Sequence, residues 1–351
     1  MTSWRMPSEW EPHECTWMAF PPANETFGAH GSASLQRARQ AWANVAAAVC
    51  GYEPVRMMVR PEDIAEARTL LPEAVELHAV PLDDAWVRDS GPTFVRDESG
   101  AVAAVDWVFN GWGAQSWAAW EADQRVGEQI AGLAGVPRIA STLVNEGGGL
   151  HVDGRGTVLL TRTVQQDPGR NPGWSQQQIE AEIHQRLGTH HAVWLPRGLT
   201  RDYDEFGTRG HVDIVACFTP AGSVLLHTQR DRSHPDHQVS RELREVLESA
   251  TVAGGDPISI TELPAPKQLQ DESGWSDWSY INHYVANGAV IMGAFQDPSD
   301  EKAQQILEEH YPGRTVERVD ARDIFAFGGG VHCITQQQPS SPTAPGAVPA
   351  P

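Results

Sequence analysis

Positive charge is scarce in this chain: 26 lysines and arginines face 46 aspartates and glutamates, a formal net charge of −20. A field of that sign repels nucleic acid and anionic membranes and favours small cationic partners. Cysteine is also scarce. The four cysteines, Cys15, Cys50, Cys217 and Cys333, show neither paired-ligand spacing nor a disulfide framework. The opening MTSWRMPSEWEPHECTWMAF has no continuous apolar run, which argues against a secretory leader. No stretch is long and apolar enough to span a bilayer. A reducing cytoplasm fits this pattern best. His151, Asp153, His211, Asp213 and His332 supply enough nitrogen and oxygen donors for zinc or iron, but no H-x-x-x-H or C-x-x-C spacing supports a metal. There is no G-x-S-x-G elbow and no G-x-G-x-x-G dinucleotide signal. Neither metal nor cofactor is expected.

What the chain does have is a body of ordinary globular composition. At 351 residues, 40% hydrophobic and 21% charged, it can bury a sizeable core without disulfides. The stretch 339–351, PSSPTAPGAVPAP, is too poor in large apolar residues to join that core and is expected to be a disordered tail. No other segment reads as a linker, so residues 1–338 are expected to form one domain.

Helical periodicity is expected over 35–50, 120–133, 176–187, 239–249 and 301–310, with an extra helix over 61–71. Short β-branched runs follow at 55–59, 139–144, 192–195, 258–263 and 315–319, with another at 75–80. Between them lie pairs of strands joined by turn residues: WVRDSGPTFV through DESGA, GLHVDG into GTVLLT, HVDIVACF through TPAGS into VLLHT, and INHYVANG into AVIMGAF. The chain is therefore α/β, built of strand–strand–helix–strand units repeated about five times. Asp89, His151, His211 and His332 echo that unit at steps of roughly 60 residues, the last step about doubled. Such a repeat suggests similar modules arranged radially, with functional residues at equivalent strand ends around a central cavity. Four anchors are also few enough for coincidence.

Four constellations carry chemistry. In GGGVHCITQQQP, glycines permit close approach of backbone to a ligand just before Cys333. A thiolate is the nucleophilic form, and an ordinary thiol has a pKa of about 8.5, so it needs help at neutral pH. The other three cysteines, Cys15, Cys50 and Cys217, read as buried inert thiols. In GHVD, His211 and Asp213 lie two apart, so a strand would point both to one side. In DDAWVRDSGP, Asp89 sits at a turn beside Trp86. A carboxylate with an indole face suits a planar cation. In NEGGGLHVDG, Glu146 can reach the same cation, and His151 reads as supporting rather than catalytic. Each motif alone is also compatible with a satisfied structural pair or an ordinary acidic turn.

Taken together these motifs resemble the agmatine deiminases within the wider peptidyl-arginine deiminase family. The resemblance runs from MPSEWEPH to GGGVHCITQQQP and includes VDWVFNGWG, LPRGL and YINHYVANGAVI. It implies a five-bladed α/β propeller and a metal-free, cofactor-free hydrolase. It implies Cys333 as nucleophile, His211 as acid and base, and Asp89 and Asp213 as a guanidinium clamp. Glu146 is implied as a site-lining acid, Trp86 as a flank for the substrate, and Asn282 as part of the cavity rim. The implied reaction takes agmatine to N-carbamoylputrescine and ammonia, in a homo-oligomer, at least a dimer. Other guanidines, such as free or peptidyl arginine, and a non-catalytic cation binder are the alternatives. One departure stands out. Where the family usually carries Asp or Asn before Gly-His, this chain has Arg209, a candidate substrate-contacting residue: pointing inward, it would repel an aminoalkyl tail and attract a carboxylate or phosphate, and a solvent-facing Arg209 is the alternative.

Overall fold

Helix Gln176–Leu187 shows how local signals set the elements in the computed structural model, which describes residues 4–272 and 274–341. Ser175 accepts from the Gln178 amide while the Gln178 side chain answers the Ser175 amide, and left-handed Gly188 ends the helix. Ile179, Ile183 and Leu187 recur every four residues and are the buried face.

Five sheets share one connection logic. In the first, Thr93–Asp97 pairs antiparallel with Val102–Val108, which runs parallel to Arg138–Val144. The second has Leu150–Val152, Thr157–Thr161 and His191–Leu195 in the same relation. The third has Ala216–Phe218, Ser223–Thr228 and Ser259–Pro264. The fourth has Tyr284–Ala286, Ala289–Ala294 and Thr315–Asp320. The fifth joins the chain's two ends: Gln336–Pro339 pairs antiparallel with His13–Ala19, which runs parallel to Val55–Val59. Helices Val126–Ala134, Gln176–Leu187, Asp236–Ser249, Asp300–His310 and Ala33–Cys50 make the five parallel crossovers, because parallel strands need a connection of that length. The first-strand motifs Trp4–Arg5 and Glu76–Ala79 extend the first and fifth sheets at their edges.

The structure corrects four sequence readings. GHVDIVACF is not one strand: Val212–Ile214 is a 3-10 turn, and only Ala216–Phe218 is extended. WVRDS is likewise a helical turn, Val87–Ser90, ahead of its strand. The helix expected over 120–133 starts at Val126, because residues 122–125 are tied to the preceding loop. Asp83 accepts from the Ala122 amide, and Asp123 accepts from the Asp83 and Asp84 amides. The expected tail starts later than Pro339, which closes a buried strand. Ser340 still donates its amide to the Pro12 carbonyl. Residues 342–351 lie outside the described residues. Among the described residues no helix is long and apolar enough to cross a membrane.

Candidate active site

Each sheet is entered through a short segment that carries one notable side chain. Asp89, Glu146, Asp213, Asn282 and Cys333 all lie within four residues before the first strand of their sheets. All five are buried. They meet because those entries converge on one place.

Gly148 marks the centre. A methyl group in place of its hydrogen would sit 2.5 Å from His211 Nδ1, 2.9 Å from Asp89 Oδ1 and 3.0 Å from Asp213 Oδ2. Cys333 Sγ lies 3.6 Å from the same Asp213 oxygen. The imidazole and both acids thus surround one point, and the sulfur lies against one of those acids, although 120 residues separate Cys333 from Asp213. His211 and Asp213 do project together, but from a 3-10 turn rather than from a strand.

The supports of each group are distinct. Asp89 accepts from the Trp112 indole at 2.9 Å and from the Gly148 amide at 3.1 Å. Arg88, next to Asp89 in sequence, turns to the C-terminal segment. It donates to the His332 carbonyl and to Gln337. His211 Nε2 meets Glu146 at 3.2 Å. Glu146 is gripped in turn by Arg170 Nε, at 2.9 and 3.0 Å from its two oxygens. Arg170 also donates to Asp167 and to the Thr208 carbonyl, tying the acid to the loop before His211. Asp213 takes His332 Nδ1 at 2.7 Å, and the opposite ring nitrogen meets Glu9 at 2.8 Å.

Trp86, expected as a flank for the substrate, lies beside the thiol. A methyl on Gly329 would lie 2.7 Å from the Trp86 ring and 3.2 Å from Sγ, so only glycine fits between them. Asn282 is not at a rim. Its Nδ2 is 3.2 Å from Cys333 Sγ and 3.2 Å from the Asp213 carbonyl, and its Oδ1 accepts from the His332 amide.

Arg209 is tied to a neighbouring acid. Its guanidinium meets Asp167 at 3.2 Å, and its side chain is 38% exposed. Its backbone is left-handed, with φ of 68°. Asp and Asn tolerate that conformation better than other non-glycine residues, which gives a backbone reason for the family's usual choice there.

Burial and charge set the proton affinities. Burial and the neighbouring acids Asp213 and Asp89 push the Cys333 thiol well above its ordinary value. Burial alone would depress His211, but Asp89, Glu146 and Asp213 overcome it and raise the imidazole to about 9. Burial raises Asp89 to about 6, with Asp213 and Glu146 adding to it against the opposing His211. Asp213 goes the other way: burial opposes its charge, but His332, His211 and Arg88 together outweigh burial and lower its pKa. The remaining thiols fit the inert reading. Cys15 is buried and pushed up to about 12, Cys217 is higher still, and both are free, as is half-buried Cys50. Among the described residues no group of three His, Cys, Asp or Glu is arranged to hold a metal ion.

A thiol, an imidazole and two carboxylates gathered in one place have the chemistry to hold and attack a planar cation. His332, Glu9, Trp112 and Arg170 were not legible as site members. His332 stood out only as an anchor of the repeat, and Glu9 only as part of the N-terminal motif.

Residues 5–339 match the Porphyromonas-type peptidyl-arginine deiminase family, and the chain belongs to it. A Streptomyces coelicolor protein carrying a provisional agmatine deiminase name is 57% identical over 338 residues, 96% of this chain and 99% of that protein. The agmatine deiminase of Stutzerimonas stutzeri is 36% identical, covering 95% of each chain. The structure of the Enterococcus faecalis agmatine deiminase superposes with a TM-score of 0.90 at 29% identity, over 97% of this chain and 96% of that one.

Proposed function

We propose that this chain hydrolyses agmatine to N-carbamoylputrescine and ammonia through a covalent intermediate on Cys333. The convergence of Asp89, His211, Asp213 and the Cys333 sulfur around Gly148 carries the reading. The relatives named above support agmatine as the substrate.

A guanidinium is a weak electrophile because its charge is delocalised, so it must be held flat before a nucleophile. Asp89 and Asp213 accept its N–H groups. Asp213 Oδ1 and His211 Nδ1 are buried and have no hydrogen-bond partner among the described residues, which suits them to face substrate. The cation offsets the charges that hold the thiol protonated, so the thiol proton leaves on binding. The thiolate then forms a C–S bond to the guanidinium carbon. His211, charged at neutral pH, protonates one nitrogen; the C–N bond breaks and ammonia departs. The now neutral His211 takes a proton from water as its oxygen adds to the thiouronium carbon. The C–S bond breaks, the sulfur takes up the remaining hydroxyl proton, and the ureido product leaves.

The same proposal makes the five sheets the blades of a five-bladed α/β propeller. One residue from each blade's entry, and the pairing of the first and last long strands, support that shape. It also makes residues 1–338 one catalytic domain working in the cytoplasm, where four free thiols are at home, as a homodimer or larger homo-oligomer, with no part for nucleic acid or membrane. Ammonia release from a panel of agmatine, arginine, peptidyl arginine and simple guanidines tests the reading. Agmatine is expected to give the highest kcat/KM. A preference for arginine would replace the substrate, and no turnover of any guanidine would leave a cation binder.

A further inference from the structure

Asp89 and Asp213 are both buried, yet they are held by different kinds of donor. Asp89 takes neutral N–H groups from Trp112 and Gly148. Asp213 takes a histidine whose far side rests on a second carboxylate. His332 Nδ1 is 2.7 Å from Asp213 Oδ2, and Nε2 is 2.8 Å from Glu9 Oε1. An ionised carboxylate only accepts, and a neutral imidazole has a single N–H. Two such contacts on one ring therefore require both ring nitrogens to be protonated.

We propose that Glu9 and His332 are positioning residues for the guanidine reaction: Glu9 holds His332 as an imidazolium, and that imidazolium keeps Asp213 ionised and aimed at the substrate. The proposal rests on the reading of Asp213 as a guanidinium clamp. Asp213 has one oxygen on His332, while the other, Oδ1, has no protein partner among the described residues. The ring fixes the carboxylate's rotation and leaves a lone-pair edge free for an N–H of the cation.

The charged and titratable neighbours are consistent with this. Glu9 also faces Arg88 Nη1 at 3.7 Å and His151 Nε2 at 3.7 Å. His332 is influenced by Arg88, which opposes its charge, and by Glu9 and Asp213, which favour it. His283 lies close enough to feel Glu9, His332 and His151. Around Asp213 stand His332, His211, Arg88 and the Cys333 thiol. Burial penalises the charge of Glu9, Asp213 and His332 alike. The chain overcomes it at all three: Glu9 falls well below the ordinary range, Asp213 falls, and His332 rises. A buried acid–imidazolium–acid chain whose charges compensate is stable where any one charge alone would not be.

Two measurements test this. Long-range proton–nitrogen NMR of the histidine rings in the full chain at pH 8 is expected to show His332 with both nitrogens protonated; a neutral His332 ring would overturn the proposal. In steady-state assays on agmatine, Glu9→Gln is expected to raise KM about tenfold, the size of one charge-assisted hydrogen bond. Its kcat should change less than about threefold, and the acid limb of its kcat/KM profile should move to higher pH. Unchanged KM and an unmoved acid limb would also overturn it. His332→Gln should raise KM in the same way, which guards against a folding defect particular to Glu9→Gln. If the unaltered chain releases no ammonia from agmatine, the proposed function fails, whereas the ring spectrum still reports on the chain of charges.

Discussion

His211 Nδ1 stands 3.7 Å from Asp89 Oδ1 and makes no hydrogen bond to any described residue. The two are close enough to stabilise each other's charge and too far apart to share a proton. His211 Nδ1 is therefore available to a substrate, and Asp89 Oδ1, which accepts from the Gly148 amide, has a further lone pair to offer; the first consequences concern pH.

The kcat/KM profile should be bell-shaped. Asp89 must be ionised to clamp the cation, so activity should fall as pH drops through about 6. His211 must be protonated to release ammonia, so activity should fall as pH rises through about 9. Initial rates between pH 4.5 and 10.5 measure both limbs, and a plateau persisting to pH 10.5 would remove His211 as the acid.

Alkylation of the free enzyme should expose the high proton affinity of its thiol. Iodoacetamide should modify Cys333 slowly at pH 7 and faster as pH climbs past 9, because burial and two acids disfavour the thiolate. A rate already maximal at pH 7 would mean a standing thiolate, and the cation would then not be the activating agent.

Replacing the sulfur separates binding from chemistry. Cys333→Ser should lose turnover by at least about a thousandfold while melting like the parent chain and binding agmatine in calorimetry. Hydrolysis near the parental rate would end the nucleophile assignment.

Asp167 and Arg209 should behave unequally, although they form one ion pair. Arg209 is partly exposed, so Arg209→Ala should change KM for agmatine by less than about threefold. Asp167 also anchors Arg170, which grips Glu146 beneath His211. Asp167→Ala should lower kcat about tenfold, roughly the effect of losing one charge-assisted hydrogen bond. A large KM effect at Arg209 alone would return that residue to substrate recognition.

Dialysis against a chelator should leave the rate unchanged, since the proposed steps use only sulfur, imidazole and carboxylates. Loss of activity restored by zinc would point to a metal amidohydrolase.

Much of this site was legible before any coordinates. Cys333, His211, Asp89 and Asp213 carry chemically marked side chains in unusual glycine-rich contexts, and periodicity located helix Gln176–Leu187 and strand Val55–Val59 at their observed bounds. The repeat was legible too, including the strands of the fourth sheet, but its apparent doubled step gave that sheet no anchor residue. The residue that enters the cluster there is Asn282, whose amide carries no charge to attract notice. Glu9 and His332 were obscured for another reason. Their pairing spans 323 residues, and no local pattern reports a contact of that range. The 3-10 turn at Val212–Ile214 was misread because alternation between apolar and polar residues is the same in a short turn as in a strand.

The fifth sheet joins His13–Ala19, near the start of the chain, to Gln336–Pro339, near its end. The sulfur lies in the few residues leading into that final strand. Protein synthesis delivers Asp89, His211 and Asp213 before the sulfur. The proposed nucleophile is therefore fixed in place by a pairing of two segments far apart in the sequence, so whatever loosens that sheet loosens the sulfur with it.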